Sequence, residues 1–376
     1  MKSKSDSISK ILKNYDLCDY CVGRLISKIL KKNISKFLGK KYLLKSGKKC
    51  FICKNIFDNF DNILLHIFEN LPDIDFKTFN LGIILKPSFL ERDDYIKSKF
   101  KIKGVENLKF GVSKELTKKI SRKTHTQRLS IDPDLFIQVN FKDESCIFRT
   151  KPLFIYGRYN KKIRNIPQKQ DICHKCNGFG CHNCNFIGKE NFDSIERKIS
   201  NFFIKKFECN QVKINWIGGE DKSSLVLGNG RPFFAKLLNP KKRNKILKKN
   251  IDLEGVNLFE LKKLPINPKG HIQFKSEVLI TVETKNSISS TELKKLKTLQ
   301  NSEIKDFSKA KKSNQKKIYK LNYKKTGKKC FILHIFADGG FSIKSFIQNS
   351  DVIPNVSEIL ENPCICKQFD FRNVIV

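Results

Sequence analysis

Paired cysteines place the strongest constraint on how this 376-residue chain can fold. One C-x2-C pair spans 18–21 and a second spans 50–53. Two such pairs can supply four thiolates to one tetrahedral metal ion, because each tight turn presents both of its sulfurs on one side. A helix is expected from 22 to about 38, inside the loop that the metal would close. The expected ligands are Cys18, Cys21, Cys50 and Cys53.

A second group of four cysteines follows in the segment 173–184, which reads CHKCNGFGCHNC. Gly178 and Gly180 permit the tight turns that bring sulfurs together. A Gly-rich redox loop is the alternative interpretation, and His174 and His182 are expected to be solvated. Four thiolates leave no open coordination position, so the sequence predicts two zinc ions with structural roles. The expected ligands of the second ion are Cys173, Cys176, Cys181 and Cys184.

The charge balance indicates the class of partner. Lys and Arg number 75 against 37 Asp and Glu, which gives a formal net charge of +38. Such a charge favours a polyanionic partner, with nucleic acid first and an acidic membrane surface second. No apolar run approaches the length of a membrane span, and the N-terminus lacks the apolar core of a signal peptide. We therefore expect a cytoplasmic protein, in which the 13 cysteines stay reduced and need a role other than disulfides.

Apolar periodicity predicts a chain of mixed α and β structure. Apolar residues recur at helical spacing over 57–71, and β-prone runs at 79–85, 135–141, 146–150 and 151–159 indicate strands. Helices followed by a Pro-Asp turn and adjacent strands are similar to the THUMP fold, an RNA-binding α/β module. The segment 301–317 is charged and poor in apolar residues, so we expect a solvated insertion without a core face there.

An acidic pair, Glu220 and Asp221, stands in the stretch Trp216–Arg243, which ends in a basic cluster. Surrounding Lys and Arg would hold such a carboxylate ionised, ready to act as a nucleophile or a base. The alternative is a hairpin whose two acids are solvated at the turn.

Motifs in a fixed order along the chain resemble those of the pseudouridine synthases, in the archaeal and eukaryotic branch that acts on the T-loop of tRNA at positions 54 and 55. The motifs are Gly157-Arg158-Tyr159 with Ile166-Pro167-Gln168, the second cysteine group, Gly219-Glu220-Asp221 with Leu227 to Phe233, Gly339 to Lys344, and Pro354 to Leu360. The resemblance runs from about Asp132 to Leu360. One departure is Leu225, where some members carry Arg, which removes the basis for a second arginine there but leaves the aspartate.

The resemblance implies an isomerase that converts uridine to pseudouridine. The N1–C1′ bond breaks, the uracil turns, and the base is rejoined through C5. Because nothing is oxidised in these steps, no cofactor is needed. The resemblance assigns to Asp221 the role of the carboxylate that either attacks C1′ or removes a proton from C2′. The side chain of Glu220 is expected to point elsewhere. The resemblance assigns the cation that keeps Asp221 ionised to Lys344. Tyr319 is expected to stack on the base and to help remove the C5 proton. Arg231 is expected to fill the stack vacated by the flipped uridine or to hold its phosphate. Further substrate contacts are expected at Arg158, Lys241, Lys242, Arg243 and Ile343.

These inferences predict an α+β protein with two domains. An N-terminal zinc-bearing, THUMP-like domain at 1–150 would bind tRNA, and a pseudouridine synthase domain with a mixed, mainly antiparallel sheet would occupy 151–376. We expect a monomer that does not associate with membranes. One alternative is a zinc-containing RNA-binding protein without catalysis, which the ordered matches at Asp221, Tyr319 and Lys344 disfavour. The other is a THUMP-bearing tRNA methyltransferase, which would need a Gly-rich loop leading into a helix, whereas 228–230 leads into Arg-Pro.

Overall fold

The computed structural model describes residues 10–26 and 48–376, apart from 185, 191, 269, 271, 308–313 and 349–350. The chain divides into two compact units, Met1–Lys151 and Pro152–Val376. Within the described residues, no helix has the length and apolar character needed to cross a bilayer.

The sheet of the N-terminal unit has four strands in the described part of the chain. They are β1 (Thr78–Ile84), β2 (Gln127–Arg128), β3 (Leu135–Asn140) and β4 (Ser145–Thr150), in the order β2-β1-β3-β4. β1 runs parallel to β2 and to β3, while β3 and β4 are antiparallel. Burial alternates along β1 and β3, so one face of the sheet lies on the core.

In the described part of the chain, the helices that accompany this sheet include α1 (Asp19–Ile26), α2 (Phe60–Asn70), α3 (Pro87–Lys99) and α4 (Leu108–Thr124). The helix expected over 22–38 is present as far as Ile26, and the rest of that prediction lies outside the described residues. Helix α3 was not expected from the sequence. The reason is that only Asp93 and Ile96 on it are buried, so its apolar periodicity is weak.

The C-terminal unit is built on a large mixed sheet, which has eleven strands among the described residues, in the order β14-β11-β12-β13-β10-β15-β7-β5-β9-β8 with β6 beside β7. Neighbouring strands are antiparallel except for β15 and β7. The predicted α+β class with a mainly antiparallel sheet is therefore confirmed. The strands are β5 (Leu153–Lys161), β6 (Gln211–Trp216), β7 (Val226–Leu238), β8 (Asn250–Asp252), β9 (Val256–Leu264), β10 (Lys275–Thr284), β11 (Glu303–Asp306), β12 (Asn314–Lys325), β13 (Cys330–Asp338), β14 (Val352–Ile353) and β15 (Cys364–Ile375).

The helices of this unit are α5 (Ile195–Phe207), α6 (Ser290–Leu293, continued as a 3-10 helix over Lys294–Leu299), α7 (Ile343–Gln348) and α8 (Val356–Leu360). The hydroxyl of Ser194 caps α5 by accepting from the Arg197 amide. Ile199, Phe203 and Phe207 recur every four residues on α5 and are fully buried in the core. Periodic apolar residues thus fix which face of α5 packs on the core of the unit.

The expectation of a solvated insertion over 301–317 is wrong at both ends, since residues 314–317 are the beginning of β12. Residues 303–306 form β11, which pairs with β12 and β14 and buries the Ile304 and Asp306 side chains. A four-residue strand with a single apolar side chain carries too weak an alternation to be recognised from sequence. Residues 308–313 lie outside the described part of the chain.

Candidate active site

A pocket of about 310 Å³ opens beside the loop that joins β6 to β7. We call this connection, residues 217–225, the Asp221 loop. The pocket is lined by the acidic pair of this loop, by residues 340–344 at the start of α7, and by four aromatic rings, of which one lies within 340–344 and three lie in two other segments. The rings are Phe274, Phe341, Phe369 and Phe371.

Asp221 makes three polar contacts at the pocket. Its Oδ2 accepts from the Lys344 ammonium at 2.7 Å, and its Oδ1 accepts from the amide and hydroxyl of Ser223 at 2.9 and 2.7 Å. Burial raises the pKa of this carboxyl, but the bonds from Lys344 and Ser223 outweigh burial and lower the pKa to about 2. Asp221 is therefore an anion at neutral pH, and its side chain remains 26 % exposed toward the pocket.

Glu220 has a different environment from its neighbour. Its side chain is fully buried, so the solvated hairpin does not describe this acid. One oxygen accepts from the Tyr159 hydroxyl at 2.8 Å and from Arg231 Nε at 3.3 Å, and the other lies 3.6 Å from Lys161 Nζ. Glu220 does point away from Asp221, but it points into a buried ionic cluster, so changing it would disturb the floor of the site.

Residues of the motif at 157–168 hold the Asp221 loop in place. Lys161 is fully buried, and its ammonium donates to the carbonyl oxygens of Asp221, Lys222 and Ile166 at 3.2, 3.1 and 2.8 Å. Burial lowers the pKa of Lys161, and the nearby carboxylate of Glu220 partly opposes that shift. The loop backbone beneath the reactive acid thus rests on a buried cation.

Arg164 and Gln168 extend the same support. Arg164 donates to the Ser223 carbonyl at 2.6 Å and forms two bonds with the Asp370 carboxylate of β15. Asp370 in turn accepts from the Leu225 amide at 2.9 Å. Gln168 donates to the Tyr159 hydroxyl at 3.0 Å and to the Gly218 carbonyl at 3.3 Å. Both ends of the Asp221 loop are therefore bonded to side chains outside it.

Arg231 and Arg158, which were expected to contact RNA, both make their polar contacts within the protein. Arg231 is fully buried, donates to the Ile217 carbonyl at 2.8 Å, and lies 4.2 Å from the centre of the Phe371 ring. Arg231 is nonetheless among the residues that line the pocket, so its contact with RNA stays a prediction. Arg158 is 8 % exposed and donates to the backbone of β7 and β15, so its bonds join these strands.

Tyr319 is not among the residues that line this pocket, so its expected role at the base stays a prediction. Its hydroxyl donates to Asp338 at 2.9 Å, and its ring packs beside Lys275 and Phe336 rather than lining the pocket. Phe274, which the sequence reasoning missed, is the ring of the pocket wall that precedes β10. A Cβ on Gly339 would lie 2.0 Å from that ring. Gly218 and Gly339 were the available signal, because the close approach of a bulky ring requires residues without a side chain.

The other predicted contacts divide into two groups. Ile343 lines the pocket beside Lys344 at the start of α7. Lys241 and Lys242 follow β7, and their amides cap α5 by donating to the Phe207 carbonyl at 3.1 and 3.0 Å. These two lysines and Arg243 are half-buried and do not line the pocket, so their contact with RNA stays a prediction.

Both cysteine groups converge as their spacing predicts. In each group the four sulfurs lie within 4.8 Å of one another, which is close enough to share one metal ion. In the second group, amides of the intervening turns donate to sulfur: Gly180 to Cys176, and Cys181 and Gly188 to Cys184, each at 3.2 Å. Such N–H···S bonds favour the thiolate, the form that binds metal. The donor set and its closeness therefore fit a metal ion.

Comparison with known proteins relates most of the chain to a single protein family. Residues 154–374 match the family described as "Pus10, C-terminal", and residues 64–140 match "Pus10 THUMP domain, archaeal". The tRNA pseudouridine synthase Pus10 of Nitrosopumilus maritimus is 42% identical over 370 residues, which cover 98% of this chain and 97% of that protein. The same enzyme of Cenarchaeum symbiosum is 30% identical over 97% of this chain and 91% of the relative. A solved Cbf5-Nop10-Gar1 complex aligns with a TM-score of 0.29 at 9% identity over 58% of each chain, which is too distant to bear on the fold. By its sequence matches, this chain belongs to the archaeal-type Pus10 family of tRNA pseudouridine synthases.

Proposed function

We propose that this enzyme isomerises uridine in the T-loop of tRNA, at position 54, position 55 or both, with Asp221 as the catalytic group. The observation that carries the proposal is the Asp221–Lys344 ion pair at 2.7 Å on the rim of an aromatic pocket. A low pKa keeps the carboxylate charged, and the ammonium aims it, so the acid is ready before substrate arrives.

The reaction needs only acid–base and nucleophilic steps. Asp221 either attacks C1′ as the N1–C1′ bond breaks or removes the C2′ proton to give a glycal. The detached uracil turns in the pocket, and C5 bonds to C1′. In the first route this breaks the bond between Asp221 and C1′ and frees the carboxylate, and in the second route C2′ regains its proton from Asp221. The C5 proton then leaves, while N1 gains a proton. Because the product is an isomer, no oxidant, reductant or added group enters the balance.

The pocket walls suit a flipped uracil. Phe274 offers a ring face on which the base can stack, and Phe341 and Phe369 exclude water around it. Because the hydroxyl of Tyr319 is bonded to Asp338 outside the pocket, we assign removal of the C5 proton to Asp221 instead. Among the described lining residues it is the carboxylate that is both exposed and ionised.

We further propose that each cysteine group holds one structural Zn²⁺. Four thiolates would hold a tetrahedral ion with no open position, so the ion's contribution is to fold its loop rather than to activate water. We expect the enzyme to act as a cytoplasmic monomer. The methyltransferase alternative lacks support because residues 228–230 lie within β7 and open no helix.

The decisive variant is Asp221→Asn, which keeps size and removes the charge. We expect single-turnover tritium release from C5-labelled uridine in tRNA to fall to background, while the Kd for tRNA stays within about twofold. Asp193→Asn is the matched control, since it makes the same change at a side chain of the same unit that is 55 % exposed and outside the pocket. Transcripts carrying cytidine at position 54 or 55 then identify the site. An active Asp221→Asn enzyme would refute the assignment.

A further inference from the structure

The second cysteine group carries an unusual concentration of exposed apolar side chains. We call residues 172–188, which contain this group, the knuckle. Phe179 at its tip is 92 % exposed, and three further large apolar side chains of the knuckle are 62–67 % exposed: Ile172, Phe186 and Ile187. Single exposed apolar residues are ordinary on a protein surface, whereas several within one short segment mark a contact site.

The backbone of the knuckle holds Phe179 outward. Gly178 and Gly180 flank it with φ of +90° and +92°, a conformation that favours glycine. A Cβ on Gly180 would lie 2.7 Å from the Phe186 carbonyl oxygen, and one on Gly188 would lie 2.4 Å from that of Gly178. The two turns thus pack backbone against backbone, which leaves no space between them for the ring of Phe179 to fold into.

The knuckle is also fixed to the framework of the active site. The Gln170 amide donates to Glu196 of α5 at 2.9 Å, and Lys189 forms an ion pair with the same carboxylate. Gln168, two residues before Gln170, bonds to Tyr159 and Gly218 beneath the Asp221 loop. A ligand on the knuckle would therefore be held at a set position relative to the reacting acid within this unit.

The charge around Phe179 identifies the kind of contact. Between 169 and 190, three lysines stand against two acids, a formal balance of +1 (3 − 2), and Lys189 is already paired with Glu196. Such a surface does not repel a polyanion, yet it has too few free cations to bind phosphates strongly. The prominent group is instead an aromatic ring, which unpaired nucleobases contact by stacking, and metal knuckles are among the modules that bind RNA in this way.

We propose that the knuckle binds an unpaired nucleobase of the tRNA substrate, which stacks on Phe179. This site rests on tRNA being the substrate, as the family matches show, and does not depend on the catalytic role of Asp221. Because stacking requires a planar ring and no charge, the proposal predicts how three substitutions at one position differ.

The test measures tRNA binding by the full-length protein at several salt concentrations. Phe179→Ala and Phe179→Leu are expected to raise the Kd about 5- to 100-fold, while Phe179→Trp keeps it within about twofold. The slope of log Kd against log salt is expected to stay unchanged, because no ionic contact is lost. Ile266→Ala is the matched control, since that side chain is 73 % exposed in the same unit and is expected to leave binding unaltered.

Two further measurements separate stacking from loss of folding and from other occupants. Metal content and melting temperature should match those of the unsubstituted protein in all variants, and the Phe179→Trp fluorescence should be quenched on addition of tRNA beyond the change seen for Trp216 alone. Fully paired RNA should bind all variants equally, because its bases are not available to stack.

The proposal is overturned if Phe179→Ala binds tRNA as tightly as the unsubstituted protein, if Leu substitutes for Phe, or if the loss extends equally to fully paired RNA. It is also overturned if the substitution changes the solution mass rather than the Kd, since the surface would then serve a second copy of the chain. An active Asp221→Asn enzyme would refute the catalytic assignment and leave these binding results standing.

Discussion

The buried Lys161 offers the sharpest test of how the Asp221 loop is built. Lys161→Met keeps most of the side-chain volume and removes the ammonium that bonds to the carbonyl oxygens of Asp221, Lys222 and Ile166. The substitution therefore leaves the reacting carboxylate, its Lys344 partner and the pocket walls chemically unchanged.

Three partly buried carbonyl groups would lose a charged donor, and Glu220 would lose one of its two neighbouring cations. Removing one partner of a buried ion pair costs about 3–5 kcal/mol. Because Arg231 still pairs with Glu220 and the loop can shift toward other donors, we expect a net loss of about 3 kcal/mol. For a unit of this size, that lowers the melting temperature by about 6–12 °C.

The effect on the chemical step is expected to exceed the effect on binding. A displacement of the reacting group by about 1 Å costs about 100-fold in rate, so single-turnover tritium release should fall by that factor while the Kd for tRNA changes little. Lys162→Met changes the exposed neighbouring lysine and should leave the rate intact. Leu333→Ala removes a fully buried side chain in β13 and costs about 2–5 kcal/mol, so it provides a destabilised control whose rate is retained below its melting point.

The reasoning fails if Lys161→Met reacts at the unsubstituted rate, or if Leu333→Ala loses as much rate for the same loss of stability. In the first case the loop would hold its geometry without the buried cation. In the second, the rate would follow general stability rather than the position of Asp221.

Two further predictions concern the ion pair and the metal sites. Lys344→Met removes a bond that lowers the pKa of Asp221, so that pKa should rise from about 2. As the solution is acidified, the rate of the variant should therefore begin to fall at a higher pH than that of the unsubstituted enzyme. A pH–rate profile with an unchanged acid limb would contradict this. Elemental analysis should find two zinc ions per chain, and replacing Cys18 and Cys21 by Ser should remove one ion and destabilise the N-terminal unit, whereas Cys330→Ser, outside both groups, should keep both ions.

Much of this architecture could be predicted from local sequence patterns. Cysteine spacing identified both groups of converging sulfurs, and the ordered motifs identified the family and the two residues that meet at 2.7 Å, Asp221 and Lys344. Strands with clear alternation of apolar side chains, such as β3, were expected close to their observed bounds. These features are local, so a short window of sequence contains them.

The features that were missed depend on distant contacts. Whether Tyr319 or Phe274 reaches the pocket is decided by strand pairing and by a bulge at residues 318–320, neither of which a linear motif encodes. Lys161 cannot be distinguished in the sequence from the many exposed lysines of this chain. It differs from them because it is buried beneath the Asp221 loop. Likewise, the burial of Arg158 and Arg231 follows from the strands that surround them rather than from their neighbours in sequence.

The position of β15 has a consequence for the synthesis of the enzyme. This strand comes last among those described, yet it lies inside the sheet between β10 and β7. It contributes Phe369 and Phe371 to the pocket, and Asp370 to the Asp221 loop. A nascent chain that has not yet released residues 364–375 from the ribosome therefore exposes two unpaired strand edges and has no finished pocket. Chains that lack β15 are therefore expected to be inactive until its synthesis is complete. A prematurely terminated chain would expose unpaired strand edges, so it would be prone to aggregation and proteolysis.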